Sequence, residues 1–429
     1  MEVFKFTVLS SEEARSHGVK ALCLVDKRWN NIANRTSDLW TKVTFAYPLR
    51  ARQLSVANKR LRASKQKIID LEIDLCEPDS SELRGGDWYP LVKSAQIRNT
   101  IKTLRGSEHR WRSLSIMSNT RKPAHEFLQE WGTLSLPELE SISFDGPGRP
   151  SMEHAFSADF GWPVVFCGKW SLMPKLREVS LSAVCFYWSS VAATSVRNLR
   201  KLEIKNQPHG FGPTWEEFAA LLAAAPRLEI LDVSGYSPSP IQTQILPVHL
   251  PALKRFVFGW NWNRVDLVYK FLRVFQISET LELLSLVDVD SGLYQIEDTE
   301  DLAVQSANSS RIFKLLTDLA SEGSKDKDPL RPWISMLGLK SLSVSWLTSD
   351  PRDITAFLHK APKIEEIRLT DVSQRVLHGI ADFAAETWLT RSLKRVYIQW
   401  IWNKGGGARP WINTLEGLGL QVTVEGFTE

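Results

Sequence analysis

Residues 281–286 read Leu281-Glu282-Leu283-Leu284-Ser285-Leu286, and the same arrangement recurs as Leu228-Glu229-Ile230-Leu231-Asp232-Val233, Leu253-Lys254-Arg255-Phe256-Val257-Phe258 and Leu339-Lys340-Ser341-Leu342-Ser343-Val344. An apolar residue is followed by two variable ones, an apolar residue, one variable residue and another apolar residue. The last two apolar positions are two apart, so in an extended chain they point to one face. The first lies just ahead and turns the chain into a core. Working outward, the pattern also fits Ile68-Leu71-Ile73, Trp111-Leu114-Ile116, Leu139-Ile142-Phe144, Leu176-Val179-Leu181 and Leu199-Leu202-Ile204, then Ile364-Ile367-Leu369 and Leu393-Val396-Ile398. Between the middle residues of successive copies the steps are 43, 28, 37, 23, 29, 25, 28, 58, 25 and 29 residues. Most fall at or near the roughly 20–29 residues of a leucine-rich repeat. Eleven copies decide against chance matches in a generic α/β domain.

The chain between these strands is helical. Thr214-Trp215-Glu216-Glu217 has the form of a capping box and leads into Phe218, Leu221 and Leu222. Val265 to Phe275 and Ile354 to Leu358 carry helical spacing, and the 58-residue step holds a helix over about Asp301–Ala320 followed by a polar loop through Pro329. Prolines 137, 174, 226, 251 and 362 stand two residues before the first apolar position, where a strand begins and no ladder hydrogen bond is lost. The expected fold is therefore α/β: a leucine-rich-repeat-like solenoid over residues 68–429, with parallel strands on the concave face, helices on the convex face and an insertion around 297–333. Each unit buries its apolar face only against its neighbours. The Asn or Cys of regular repeats is mostly missing after the strand, although Asn206 and Cys76 lie near that position.

Residues before 68 lack the repeat. Leu22, Val25, Trp29 and Ala33 make one helical stripe, Thr36 or Ser37 can cap a short helix leading to Leu39-Trp40, and residues 48–67 read as a connecting helix. The order Leu22-Cys23-Leu24-Val25, Lys27-Arg28-Trp29, Ile32-Ala33, Leu39-Trp40 resembles the second and third helices of the F-box, as found in fungal proteins that join an F-box to degenerate leucine-rich repeats. Glu2-Val3-Phe4 is similar to the end of the first F-box helix; the Leu-Pro that opens that helix in the family is absent, and Asp26 stands where the family carries a small residue or Cys. The resemblance covers about the first 45 residues closely. It implies a helical module over residues 1–47 that docks a Skp-type adaptor through Val3, Phe4, Leu22, Val25, Trp29, Leu39 and Trp40, and so brings a cullin-RING ubiquitin ligase to a protein held by the repeats. A plain helical cap over the first repeat is the alternative.

Composition is consistent with a binding protein. The 429 residues carry 53 Lys and Arg against 49 Asp and Glu, a balance too mild to imply nucleic acid. Arg50, Arg52, Lys59, Arg60, Arg62, Lys65 and Lys67 cluster on the connecting helix; a solvated helix face accounts for them, with a nuclear signal or nucleic-acid contact as the alternatives. The four cysteines have neither metal nor disulfide spacing, and no signal peptide or 20-residue apolar run occurs. The sequons at Asn34 and Asn308 are read as chance, and a cytoplasmic or nuclear location is expected. Gly405-Gly406-Gly407 lacks the Lys-Ser/Thr of a phosphate loop, His125-Glu126 lacks the second His of a zinc-protease helix, and no Gly-x-Ser-x-Gly is present. No enzyme, cofactor, metal or membrane role is expected, and the chain is taken as monomeric apart from its complex.

A partner would meet the residues that alternate with the apolar positions. These are Asp70, Glu72 and Asp74, then Ser113, Ser115, Ser141, Ser143 and Ser180, then Lys201, Glu203 and Lys205. The character changes at Ile230, Arg255, Val257, Leu283 and Val287, with Glu366, Arg368, Arg395 and Tyr397 further on. Exposed apolar side chains beside Arg and Tyr are what an interaction hot spot needs, so Ile230, Arg255, Val257, Leu283, Val287, Arg368, Arg395 and Tyr397 are the candidate substrate site. A strand phase wrong by one residue would send them inward.

Overall fold

The structure, a computed structural model, describes residues 24, 26–46, 51–76, 94–119, 124, 126–129, 134–146, 165–166, 173–183, 185–186, 196–206, 213–235, 247–260, 265–288, 299–322, 332–345, 349–386, 392–401 and 409–425. It divides into two compact units, Met1–Val196 and Arg197–Glu429.

In the first unit, α1 (Lys27–Arg35) is capped by Asp26, whose carboxylate accepts the Trp29 N–H at 2.8 Å. A 3-10 turn (Ser37–Trp40) leads into strand β1 (Lys42–Ala46). Then come α2 (Ala51–Ala63), β2 (Ile69–Asp74), α3 (Ser94–Leu104), β3 (Trp111–Met117), β4 (Ser141–Asp145), β5 (Val165–Phe166), β6 (Glu178–Ser182) and β7 (Cys185–Phe186). Strands β1, β2, β3, β4 and β6 are successive parallel neighbours, and β5 pairs with β7. The segment expected to be a purely helical module over residues 1–47 thus ends in the first strand of the sheet, with Val43 and Phe45 fully buried.

The second unit contains β8 (Lys201–Lys205), α4 (Trp215–Ala223), β9 (Ile230–Ser234), β10 (Val248–Leu250), β11 (Arg255–Trp260), α5 (Val265–Leu272), β12 (Phe275–Ile277) and β13 (Leu283–Asp288). It continues with α6 (Thr299–Glu322), β14 (Trp333–Ile334), β15 (Ser341–Ser345), α7 (Pro351–Leu358), β16 (Glu366–Val372), α8 (Gln374–Glu386), β17 (Arg395–Ile401), α9 (Arg409–Gly417) and β18 (Gln421–Glu425). Strands β8, β9, β11, β13, β15, β16, β17 and β18 form one parallel series. A second small parallel ladder, β10–β12–β14, lies between its repeats. Thr214 caps α4 with the full capping box, and Asp350 caps α7 with proline at its first turn. The expected helix over Val265–Phe275 stops at Leu272; Phe275 opens β12 and is fully buried.

The register follows the apolar pattern. The second and third apolar positions of every copy are buried, as are the first positions from Trp111 onward. Ile68 is the exception: it is 43% exposed, and Ile69 fills the core beside Trp111 instead, at an irregularity in the β2–β3 ladder. The 58-residue step is an insertion, because β13 pairs directly with β15, Leu283 opposite Ser341.

The prolines work differently from the sequence expectation. Leu139, Leu176, Leu228, Leu253 and Ile364 donate their N–H to the carbonyls of Leu136, Met173, Ala225, Leu250 and Ala361, at 3.1–3.4 Å. Prolines 137, 174, 226, 251 and 362 therefore hold the second place of a four-residue turn, where a fixed φ near −65° is already correct. They set the corner ahead of the strand, not the strand's first pairing. Leu281 and Leu339 close the same turn without proline.

Just past each corner the backbone ladder already runs. Among others, the N–H groups of Glu229, Lys254, Glu282, Lys340, Glu365 and Lys394 donate to the residue at the same place one repeat earlier, at 2.8–2.9 Å. The charges in this column alternate: Arg112, Glu140, Arg177 in the first unit, and Arg200, Glu229, Lys254, Glu282, Lys340, Glu365, Lys394 in the second. Glu229 meets Lys254 at 2.7 Å and Arg200 at 3.7 Å; Glu282 meets Lys340 at 3.0 Å and Glu365 meets Lys394 at 3.0 Å. Like charges on adjacent strands repel, so the alternation favours this register over its neighbours.

The two cores differ in make-up. In the second unit Trp215, Phe218, Phe256, Phe258, Phe271 and Phe275 interlock, with Phe271 lying 4.9–5.8 Å from Trp215, Phe218, Phe258 and Phe275. Helices α7 and α8 approach closely at Gly379, where a Cβ would sit 2.6 Å from the Pro351 carbonyl oxygen. The first unit holds a polar tie. Arg110, 8% exposed, donates to Ser64 Oγ and to the carbonyls of Lys65 and Lys67, fastening the α2–β2 turn under β3.

Candidate functional site

The strand phase places the candidate substrate residues on the open face of the second unit's sheet, opposite the core face. Ile230, Arg255 and Leu283 stand side by side on β9, β11 and β13. Ile230 and Leu283 are half-buried and Arg255 is exposed. Val257 lies in the next row between Asp232 and Ser285 and is 7% exposed, so it is a floor and not a projecting contact. Val287 lies beside Gly259 and Ser345 in the third row. A Cβ on Gly259 would meet Ser234 at 2.8 Å, so β9 and β11 need glycine there.

Arg368, Arg395 and Tyr397 form a second group, separated from the first by the serine strand β15 with Ser341, Ser343 and Ser345. Glu366 organises it. Its carboxylate accepts Arg368 Nε at 2.5 Å and lies 3.1 Å from Arg395 Nη2, and Arg368 stacks 5.3 Å from the Tyr397 ring centre. Two guanidinium groups on one largely buried carboxylate leave a net positive edge. The sequence reading did not assign Glu366 this role, although Glu366 and Arg368 two apart on a strand already share a face.

Asp232, by contrast, has no place in the sequence expectation. It is 5% exposed, accepts from Ser234 Oγ at 3.0 Å and lies 3.1 Å from Lys205. Burial raises its carboxyl above the ordinary range against the pull of Lys205. The first unit's open face is different in kind: Asp70 binds Arg112 at 2.5 Å and accepts from Ser113 at 2.8 Å, and Glu72 binds Lys42 at 3.1 Å.

The residues assigned to the adaptor divide. Val3, Phe4, Leu22 and Val25 lie outside the described residues. Trp29, on α1, is 36% exposed, and Leu24 just before it is 84% exposed. Leu39 and Trp40 are 9% and 8% exposed and serve the core instead. Trp40 Nε1 donates to the Ala33 carbonyl at 2.8 Å and takes the first apolar position of the β1 repeat. A partner that leaves the fold intact reaches Trp29 but not Trp40.

The Cys76 thiol is pushed up to about 11, first by burial and then by Asp74, the reverse of an activated thiol. Among the described residues no group of three His, Cys, Asp or Glu could hold a metal ion, and no helix is long and apolar enough to cross a membrane.

No protein-family profile and no curated protein matches the chain. Among solved structures, the crystal structure of a TLR13–ssRNA13 complex contains a chain similar over 79% of this one, at 10% identity and a TM-score of 0.26. The match spans about half of that chain.

Proposed function

We propose that the chain is a substrate-recognition adaptor of a Skp-cullin-F-box type ubiquitin ligase, with a leucine-rich-repeat-like sheet that holds a protein substrate. The observation that carries this reading is the exposure of Trp29 and Leu24 on and beside α1, within the stretch that resembles an F-box. Aromatic side chains left partly outside a core serve as anchors for a partner. The open face around Arg255 and Leu283 supplies the second requirement, an apolar patch beside cations for the substrate.

One observation favours a second reading, a repeat scaffold that recruits no ligase: Leu39 and Trp40 are consumed by the core, as a simple cap would require. The test is binding of a purified Skp-type adaptor to the full chain and to Trp29→Ala. The adaptor reading expects binding by the parent and at least a tenfold loss in the variant, with unchanged thermal unfolding. No binding by the parent leaves the scaffold. Trp40→Ala is unsuited to this test, because a buried Trp is lost with the fold. For the substrate face, Arg255→Glu combined with Leu283→Asp should abolish substrate capture and leave adaptor binding intact.

A further inference from the structure

The structure points to a wider docking surface than the F-box resemblance names: we infer that α1 and the adjoining edge of α2 form one apolar and strongly basic platform for an acidic face of the adaptor. This rests on the reading of α1 as a docking helix and extends it to residues no resemblance assigned.

Charge is the first observation. Residues 26–67 carry eleven Lys and Arg against two Asp, a net +9, while the whole chain is only +4. Helix α2 contains no acidic residue at all. Lys42 and Lys67 pair with Glu72 and Asp38, but Arg52, Lys59, Arg62 and Lys65 are exposed. A solvated helix face needs no such one-sided charge, and self-repulsion on this scale is relieved by an anionic partner.

Apolar exposure is the second. Among the described residues five large apolar side chains are exposed, and four of them, Leu24, Trp29, Val56 and Ile68, fall within residues 24–68. A nucleic-acid backbone gives little to Val and Ile in the middle of a basic patch. A protein surface with an apolar centre and carboxylates around it fits both features.

Continuity is the third. Arg52, Val56 and Arg60 are spaced i, i+4, i+8, so they form one edge of α2. Arg60 Nη1 donates to the Lys42 carbonyl at the start of β1, at 3.4 Å, which turns this edge toward the 3-10 turn that follows α1. At the other end Lys67, next to Ile68, pairs with Asp38 of that turn at 3.0 Å. The Val56 edge and the Ile68 corner therefore both border the turn that carries α1, and a partner seated on Trp29 meets cations at its margin.

The experiment measures adaptor binding by the full chain, by Trp29→Ala, by Arg52→Glu/Lys59→Glu and by Val56→Asp, each at 50 and 300 mM salt. All four substituted positions are exposed, so folding is checked by unchanged circular dichroism melts. The platform predicts at least a tenfold loss in the double charge reversal, a clear loss in Val56→Asp, and a parent affinity that falls steeply with salt. Parent binding that needs Trp29 but ignores both α2 variants overturns the platform and leaves the proposed function standing. Absence of parent binding overturns both. A single-stranded RNA 20-mer that binds through Arg52 and Lys59 while the adaptor does not would assign the basic face to nucleic acid and likewise overturn the inference.

Discussion

The two units use one repeat grammar and distribute polarity in different ways. In the first unit the sheet's open face presents Asp70, Glu72 and Asp74 with a run of serines, while exposed cations lie off that face, Arg52, Lys59 and Arg62 of α2 among them. In the second unit the open face itself mixes Arg255, Arg368 and Arg395 with Ile230, Leu283 and Tyr397. Their interiors diverge as well, one tied by the buried Arg110 and the other filled by interlocked aromatic rings. The repeat pattern fixes which side chains point inward; it leaves the outward rows free, and those rows are where the units have acquired separate characters.

The sharpest way to test the contrast in the cores is Phe271→Ala. Phe271 is 1% exposed at the centre of the ring cluster, and removing it should cost about 3–5 kcal/mol in urea unfolding. A loss below about 1 kcal/mol would mean the rings do not act together. Next comes Arg110→Met, which keeps an apolar stem but deletes the donors to Ser64, Lys65 and Lys67. Losing the tie to buried Ser64 and to the part-buried Lys65 and Lys67 carbonyls should cost about 2 kcal/mol and speed hydrogen exchange in the 64–67 turn. If the cost falls well below that, the first unit does not depend on its polar tie.

The smallest effect concerns the charged column and is read by pH. Lys254 holds the Glu229 carboxyl below its usual range, and Lys394 does the same for Glu365. Each contributes stability above the unfolded carboxyl value near 4.5, and that contribution is lost as pH falls through the lower folded value. Asp232 acts in the opposite sense. Its folded value is raised by burial, so its contribution is present below 3.8 and is lost as pH rises through the folded value. Lys254→Met should therefore flatten the acid limb as pH falls below the unfolded carboxyl value near 4.5, by about 0.5 kcal/mol for this exposed pair. An unchanged limb would show that the column sets register without adding stability.

Much of the fold was legible because one rule, burial at two alternating positions, repeats with little variation from Leu114 to Ile398. The rule failed at the ends. Strand β1 was hidden because Leu39 and Trp40 read as the close of a helical motif, so Val43 and Phe45 were not joined to them. Strand β18 was hidden because Val422 and Val424 are only half-buried and carry a weak signal. The ladder β10–β12–β14 has two or three residues per strand, too few for a period to show. Of the candidate site, the parity was readable and the neighbours were not. Val257 has an outward phase yet is 7% exposed in a row where Asp232 and Ser285 are buried as well, which parity alone does not reveal. Asp232 matters because of Lys205 on the adjacent strand, a relation no linear spacing displays across the gap from 205 to 232; Glu366 shares a strand with Arg368 but meets Arg395 only through the pairing of β16 with β17.

The turn ahead of each strand carries one more consequence. Where a strand is aimed by its own four-residue corner and caught by the column beside it, as β9, β11, β13, β15 and β16 are, the connection between strands can lengthen at small cost; closing a loop of twice the length adds only about 0.6 kcal/mol. The 58-residue step into β15 shows it, with Leu283 and Ser341 as neatly opposed as any pair across a 25-residue step. A lineage built this way can lengthen or trim its connections one at a time and keep its sheet, so descendants would diverge first in their joints and only later in their strands.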